Sequence, residues 1–344
     1  MDELILNMDT QKKIDSDAEI KLRRISEIWE HFFLVYKFCD RKIKSTEDIK
    51  SNYVADILGY FKDTFDIVFE ERQTGIITQE IAYSISFLQS IYVQQDFIEE
   101  LLTVFKCNIS KGDLKLDPNY SINREIRNEL VGHPIKKDKK NHNQETQKKC
   151  SACGRIIENG KRKSTLVSST LFGYHSDKDK ISYLRFHQNN HYKAEVIELT
   201  ISQIQERHMH FLNKYLDRIL DKLKRIILDF RVELLKFQQL IEGGDFKTIV
   251  SYAEKCFESI YIYGRFKDKE AILSFYNRRG EHPRYKNIVD VFFENLKSGV
   301  DETIHEIQRL SGPLEIYREG PVSIPEIKIS FSTTNQGIKT RKRT

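Results

Sequence analysis

The chain has 344 residues, enough for about two domains and for a sizeable core. Apolar residues make up 39% and charged residues 31%, with 21 Phe and 16 Tyr, which excludes intrinsic disorder; 15 Gly and 6 Pro exclude collagen-like or low-complexity material. The net charge is +5, yet the stretch from Lys136 to Lys163 holds ten bases against three acids, so the rest of the chain is slightly acidic and the positive field is local.

No run of about 18 apolar residues is present, so no membrane span is expected. Asp2 and Glu3 stand where a secretory leader needs bases, and of the five Cys only Cys150 and Cys153 lie close together. A reducing, cytoplasmic location without a disulfide framework is the expectation. A local run of base, with Lys339, Arg341, Lys342 and Arg343 in the tail, suits a polyanion such as nucleic acid; a solvated lysine loop is the other meaning of such a run.

Taken in order, the first 110 residues read as helices. Ile20, Ile25, Ile28, Trp29, Phe32, Phe33 and Tyr36 recur at three- and four-residue steps, as do Ile57, Leu58, Phe61, Phe65 and Val68. The clearest stripe is Ile81, Ile85, Leu88 and Tyr92, continued by Phe97, Leu101 and Phe105. Such faces can only hide against one another, so a bundle follows. Asp117-Pro118-Asn119 signals a turn, with Ser121 as N-cap of a short helix bearing Ile122, Ile126 and Leu130. That helix should stop at Gly132-His133-Pro134, with Gly132 in a left-handed position and Pro134 keeping His133 out of helical dihedrals. Lys136 to Lys149 has no apolar period and reads as a loop. Between Ser164 and Ile201 the period becomes two: Thr165–Val167, Thr170–Phe172, Ile181–Phe186 and Tyr192–Ile197 read as short antiparallel strands. Helix returns with Phe211, Leu212, Tyr215, Ile219, Leu223, Ile226, Phe230, Leu234 and Phe237, ending at Gly243-Gly244, and further helices run from Phe246 to Leu310.

The stretch that carries chemistry is Asn123-Arg124-Glu125-Ile126-Arg127-Asn128-Glu129-Leu130-Val131-Gly132-His133-Pro134. Arg presents a fixed positive fork that matches a phosphate, and His has the side-chain pKa nearest neutrality. Phosphodiester cleavage by an internal 2′-hydroxyl needs a base for that hydroxyl, an acid for the leaving 5′-oxygen and a cation for the charge building on phosphorus, and no metal. On an ideal helix six steps rotate about 600°, leaving His133 roughly 120° from Arg127. Either Gly132 lets His133 turn inward, or a second subunit completes the site across a two-fold axis. The structural alternative is that Arg127 pairs with Glu129 or another nearby acid and His133 caps a helix end.

Arg127-Asn128, four further residues and His133, closing the last helix of an N-terminal bundle, resemble the R-x(4–6)-H signature of the HEPN superfamily, in which a polar residue follows the Arg. Residues 90–98 look like the usual partner helix. The resemblance covers about residues 20–135. It implies a metal-independent endoribonuclease acting as a homodimer with both motifs lining one cleft, in bacterial antiviral defence or toxin-type growth arrest, with an antitoxin or other defence-system subunit as a further partner. Arg127 and His133 would be catalytic and Asn128 would orient or polarise. Pro134 and the basic loop after the motif depart from the pattern.

Other candidates are weaker. Cys150-Ser151-Ala152-Cys153 supplies two zinc positions, with His142, His175, His187, His191 or a symmetry mate to complete four; a pair of reduced thiols is the plainer reading. His208 and His210, two apart on a helix, point about 200° apart and read as solvent-facing. Lys136, Lys137, Lys139 and Lys140, with Arg278 and Arg279, are candidate RNA contacts. Tyr183, Arg185, Phe186, His187, Tyr192 and Lys193 suggest a strand face that stacks single-stranded RNA or packs on a helix.

The chain therefore reads as mainly α: a HEPN-like helical bundle (1–135), a basic loop, CxxC knuckle and small antiparallel β-meander (136–203), a C-terminal helical region (204–311) and an extended basic tail (312–344). The expected activity is endoribonucleolytic, with no cofactor needed for catalysis. The rival expectations are a non-catalytic dimeric interaction or RNA-binding module and a zinc-dependent nucleic-acid binder.

Overall fold

The computed structural model describes residues 17–44, 53–69, 76–110, 112–132, 134–139, 164–171, 179–187, 191, 193–257 and 269–314. It is mainly helical, with a small antiparallel sheet. In chain order a helix α1 (17–28) runs into a π-helical turn (Trp29–Phe33), followed by α2 (Lys37–Asp40), α3 (Tyr53–Phe69), α4 (Ile77–Val104) and α5 (Pro118–Arg127). A second π-helical turn (Asn128–Gly132) extends α5 and leads into β1 (Ile135–Lys139). Next come β2 (Ser164–Leu171), β3 (Lys180–His187), β4 (Ala194–Thr200), α6 (Ile201–Gly243), α7 (Phe246–Phe257), α8 (Lys269–Asn277) and α9 (Pro283–Ser311).

The chain divides into two compact units, one of residues 1–22 and 52–219, the other of residues 23–51 and 220–344. In the first, α3 buries Val54, Ile57, Leu58, Phe61, Phe65 and Val68, the three-four spacing of one helical face. The buried face of α4 is Ser84, Phe87, Leu88, Ile91, Gln94, Gln95, Ile98 and Leu101; Ile85, placed in the stripe from sequence, is exposed. Polar residues can join that face because each finds a partner: Gln94 donates to Thr64 Oγ1 at 3.0 Å and Gln95 to the Tyr120 carbonyl at 3.0 Å.

Helix α5 begins at Pro118, not after Ser121. Asp117 is the N-cap, its carboxylate accepting from the Asn119 amide at 2.9 Å, and Pro118 occupies the first helical position, where its missing N–H costs nothing. Lys214 at 2.7 Å and the Tyr215 hydroxyl at 3.2 Å bind the other carboxylate oxygen and hold the Asp117 carboxyl below the usual range, tying the start of α5 to α6.

The sheet is antiparallel in the order β1-β2-β3-β4. Two expected strands, Thr165–Val167 and Thr170–Phe172, merge into one strand, β2, which is described as far as Leu171, and the front of the stretch expected to be a loop pairs as edge strand β1, Ile135 opposite Ser168. Strand pairing supplies backbone hydrogen bonds, so this basic segment needs no apolar pattern of its own. Ile181 and Tyr183 of β3, with Leu171, Ile197 and Leu199, pack on Phe87, Leu88, Ile91, Leu130, Ile201 and Ile204, so the sheet covers α4 beside the end of α5.

In the second unit, Trp29, Phe32 and Phe33 are fully buried and Tyr36 packs on Phe230 at 4.9 Å. The Tyr36 hydroxyl and Thr303 Oγ1 are 2.9 Å apart. Arg24, buried, donates to the carbonyls of Arg309 and Leu310 near the end of α9, which satisfies acceptors that a helix C-terminus leaves open. Cys39 and Cys256 of this unit and Cys107 of the first are buried free thiols.

Candidate functional site

Arg127 is the last residue of α5, and its guanidinium is held by α4. Nε donates to Gln89 Oε1 at 3.1 Å and Nη2 to the same oxygen at 2.9 Å, while Nη1 donates to Asn128 Oδ1 at 3.1 Å. The guanidinium carbon lies 4.0 Å from the centre of the Tyr92 ring. Among the described residues three of the five N–H donors are thus engaged, all by neutral acceptors, and two have no partner. Among the described residues no carboxylate pairs with Arg127. The acids around it have other partners: Glu129 accepts from Arg185 Nε at 2.6 Å and Nη2 at 2.8 Å and from Ser169 Oγ at 2.8 Å, and Asp96 pairs with Arg124 at 2.8 Å. The expected structural alternative, a pair between Arg127 and Glu129, is therefore not what forms.

The wide turn after Arg127 changes the geometry that an ideal helix imposes. In a π-helical turn residues five apart come into register, and Gly132 is five residues after Arg127. A Cβ on Gly132 would stand 2.6 Å from Arg127 Nη1 and 3.5 Å from Asn128 Oδ1. The left-handed backbone expected of Gly132 from sequence does not form; among the described glycines only Gly112 has a positive φ. Glycine is there because the guanidinium passes directly over its α-carbon. Downstream, the Pro134 carbonyl accepts from the Ser169 amide at 2.7 Å, fixing the chain against β2. His133, between these two fixed neighbours, lies outside the described residues, as do Lys140, Cys150, Cys153, His142, His175 and Tyr192.

The remaining candidates lie on several elements. The backbone of Lys136, Lys137 and Lys139 runs in edge strand β1. Arg278 and Arg279 belong to the second unit, between α8 and α9. Strand alternation splits the proposed RNA-stacking face: Tyr183 and Arg185 point inward, with Arg185 Nη2 donating to the Tyr183 hydroxyl at 2.9 Å as well as to Glu129, whereas Phe186 stands on the opposite face. His208 is not solvent-facing. It is completely buried, stacked near Phe69 and Phe211, and its Nε2 is 2.7 Å from Gln94 Oε1. Because the Gln94 amide nitrogen already donates to Thr64, His208 Nε2 is the donor; burial pushes the ring's pKa down to about 3, which favours the neutral form. His210 is exposed, near Glu206.

Among the described residues no His, Cys, Asp and Glu side chains cluster as a metal site, and no helix is long and apolar enough to cross a membrane. A cavity of about 500 Å³ in the first unit is lined by Asp96, Glu99, Glu100, Thr103 and Leu114, carboxylates that would repel a phosphate.

The residues that sequence reading missed are Gln89 and Tyr92, which aim Arg127, and Arg185, which removes Glu129 from competition. The trace in the sequence is a half-buried line of Gln89, Tyr92 and Asp96 on α4, three and four residues apart, facing Arg127 and Arg124, three apart on α5. Compared with known protein families, curated proteins and solved structures, the chain matches none.

Proposed function

We propose that this chain is a metal-independent endoribonuclease. The observation that carries the reading is the Arg127 guanidinium: aimed by Gln89, Asn128 and Tyr92 and, among the described residues, neutralised by no acid and left with two donors for a ligand. An arginine held this way is a preformed receptor for the non-bridging oxygens of a phosphodiester, strongest where charge builds on phosphorus. Neutral amide acceptors orient it without cancelling its charge, whereas a carboxylate would compete with the substrate.

In this mechanism the ribose 2′-hydroxyl attacks the adjacent phosphorus, the bond to the 5′-oxygen breaks, and the products are a 2′,3′-cyclic phosphate and a 5′-hydroxyl. Arg127 stabilises the pentavalent phosphate and Asn128 fixes Arg127. His133 takes the 2′-hydroxyl proton or delivers one to the leaving oxygen. A homodimer in the cytoplasm would place two copies of His133 at one cleft and supply both acid and base. The HEPN resemblance further suggests a role in antiviral defence or toxin-type growth arrest, with RNA gathered by the basic segment from Lys136 onward.

The test uses the full chain, RNA and an excess of chelator. Arg127→Ala and His133→Ala should each abolish formation of cyclic-phosphate ends while circular dichroism stays unchanged. Undiminished cleavage by His133→Ala refutes the mechanism. A chain that binds RNA but never cleaves it would instead be a non-catalytic binding module.

A further inference from the structure

The second unit carries an exposed hairpin between α8 and α9 in which two arginines are stacked on tyrosines. Tyr276 lies parallel to buried Phe246, with centroids 4.1 Å apart and planes within 4°, and the Arg279 guanidinium is 3.9 Å from the centre of the same Tyr276 ring. Two flat groups at those distances cannot share one face, so the order is Phe246, Tyr276, Arg279, from core to solvent. A second ladder joins Phe275 to Tyr285 at 5.5 Å and Tyr285 to Arg278 at 4.8 Å. Arg278, Arg279, Arg284 and Lys286 stand here against two acids: Glu281 pairs with Arg278 at 2.7 Å and Asp290 with Lys286 at 3.2 Å, which leaves Arg279 and Arg284 as the bases with no acid beside them among the described residues. Among the described residues the Arg279 guanidinium donates to the Tyr276 carbonyl, at 2.8 Å, and to no acid, and the Arg284 side chain has no partner. The first turn of α9 holds no acid.

We propose that this hairpin is a docking surface for single-stranded RNA. RNA as the ligand class rests on the cleavage reading; the residues are separate from the motif. A guanidinium already flattened on an aromatic ring has lost little further freedom when it binds, and its open side offers a plane on which a base stacks and a fork that fits a phosphate. An acidic peptide would use the charge but gain nothing from the planes. The stacks are anchored in the core, since Phe246 is buried among the α7, α8 and α9 side chains, so the planes are fixed before RNA arrives.

The test is fluorescence anisotropy of the full chain with a labelled 2′-O-methyl oligouridylate, which lacks the attacking hydroxyl and is not cut. Arg279→Ala with Arg284→Ala should raise Kd at least about tenfold and reduce the salt slope by about one to one and a half, as expected for two lost phosphate contacts to a single strand. Arg279→Lys keeps the charge but not the plane, and should weaken binding with the slope unchanged. Kd and slope equal to wild type in the double variant overturn the proposal, as does capture of a polyglutamate peptide in preference to the RNA. The cleavage reading is judged separately, with Arg127→Ala on unmodified RNA: lost cleavage beside unaltered binding by the hairpin variant sinks the docking surface alone, and retained cleavage beside weakened binding sinks the motif alone.

Discussion

A methyl group on Gly132 would lie 2.6 Å from Nη1 of Arg127, inside any real contact distance, so either the guanidinium or the turn must move. The guanidinium is the softer of the two, because it sits at the end of a flexible side chain held by two hydrogen bonds to one Gln89 oxygen and one to Asn128, whereas the turn is backbone tied down by Glu129 and Pro134 on the sheet side. Gly132→Ala is therefore expected to cost only about 1–2 kcal/mol of stability, read by thermal melting, while cyclic-phosphate formation falls at least tenfold. An Ala variant that cleaves RNA at the wild-type rate would show that Arg127 need not occupy its observed place. Asn128 beside Arg127 was legible in the sequence, since adjacency needs no packing information. Gln89 and Tyr92 were not, because their role depends on how α4 lies against α5, and side chains 35 to 38 residues apart carry no periodic mark of that pairing.

Helix stripes set the elements well where the buried face is purely apolar, as in α3, and less well where polar residues are buried in pairs. Gln94 and His208 belong to different helices, and each is tolerable inside only because the other is there. A sequence reading that treats histidine as a surface residue misses both. The pairing has a consequence for pH. His208 has a folded pKa of about 3 against an unfolded value near 6.5, so below pH 6.5 the unfolded chain binds a proton that the folded chain does not. The contribution is fully present above pH 6.5 and is lost progressively as pH falls toward 3, on the order of 4 kcal/mol over the whole window. Denaturant midpoints measured between pH 7 and 4 should fall less steeply for His208→Gln than for wild type, since the glutamine does not titrate. Equal slopes would mean that His208 is not sealed from protons. The start of α5 and strand β1 follow the same lesson: Asp117 caps and β1 pairs through groups whose partners, Lys214 and β2, lie far along the chain.

At the scale of the whole chain, a boundary between units usually falls in a linker, but two of the three crossings here fall within helices, at residues 22–23 in α1 and 219–220 in α6. An unbroken apolar stripe gives no hint that its two ends serve different cores, which is why the sequence order of helices suggests a self-contained N-terminal bundle. The first unit's core closes only with later residues: Ile181, Tyr183, Ile201 and Ile204 pack on Phe87, Leu88, Ile91 and Leu130. Buried polar groups depend on them too. Asn123 donates to the Ile204 carbonyl at 3.0 Å, Gln205 donates to that of Val68, and Gln94 needs His208. A fragment of residues 1–135 would expose that apolar surface to water and leave those groups without their partners, penalties of a few kcal/mol each on a domain whose net stability is about 5–15 kcal/mol. Such a fragment is expected to unfold without a cooperative transition in urea, followed by circular dichroism at 222 nm, whereas a fragment of residues 1–219 restores a sigmoidal melt. A sharp, two-state transition for residues 1–135 alone would show that the bundle carrying Arg127 is held together without the sheet and α6.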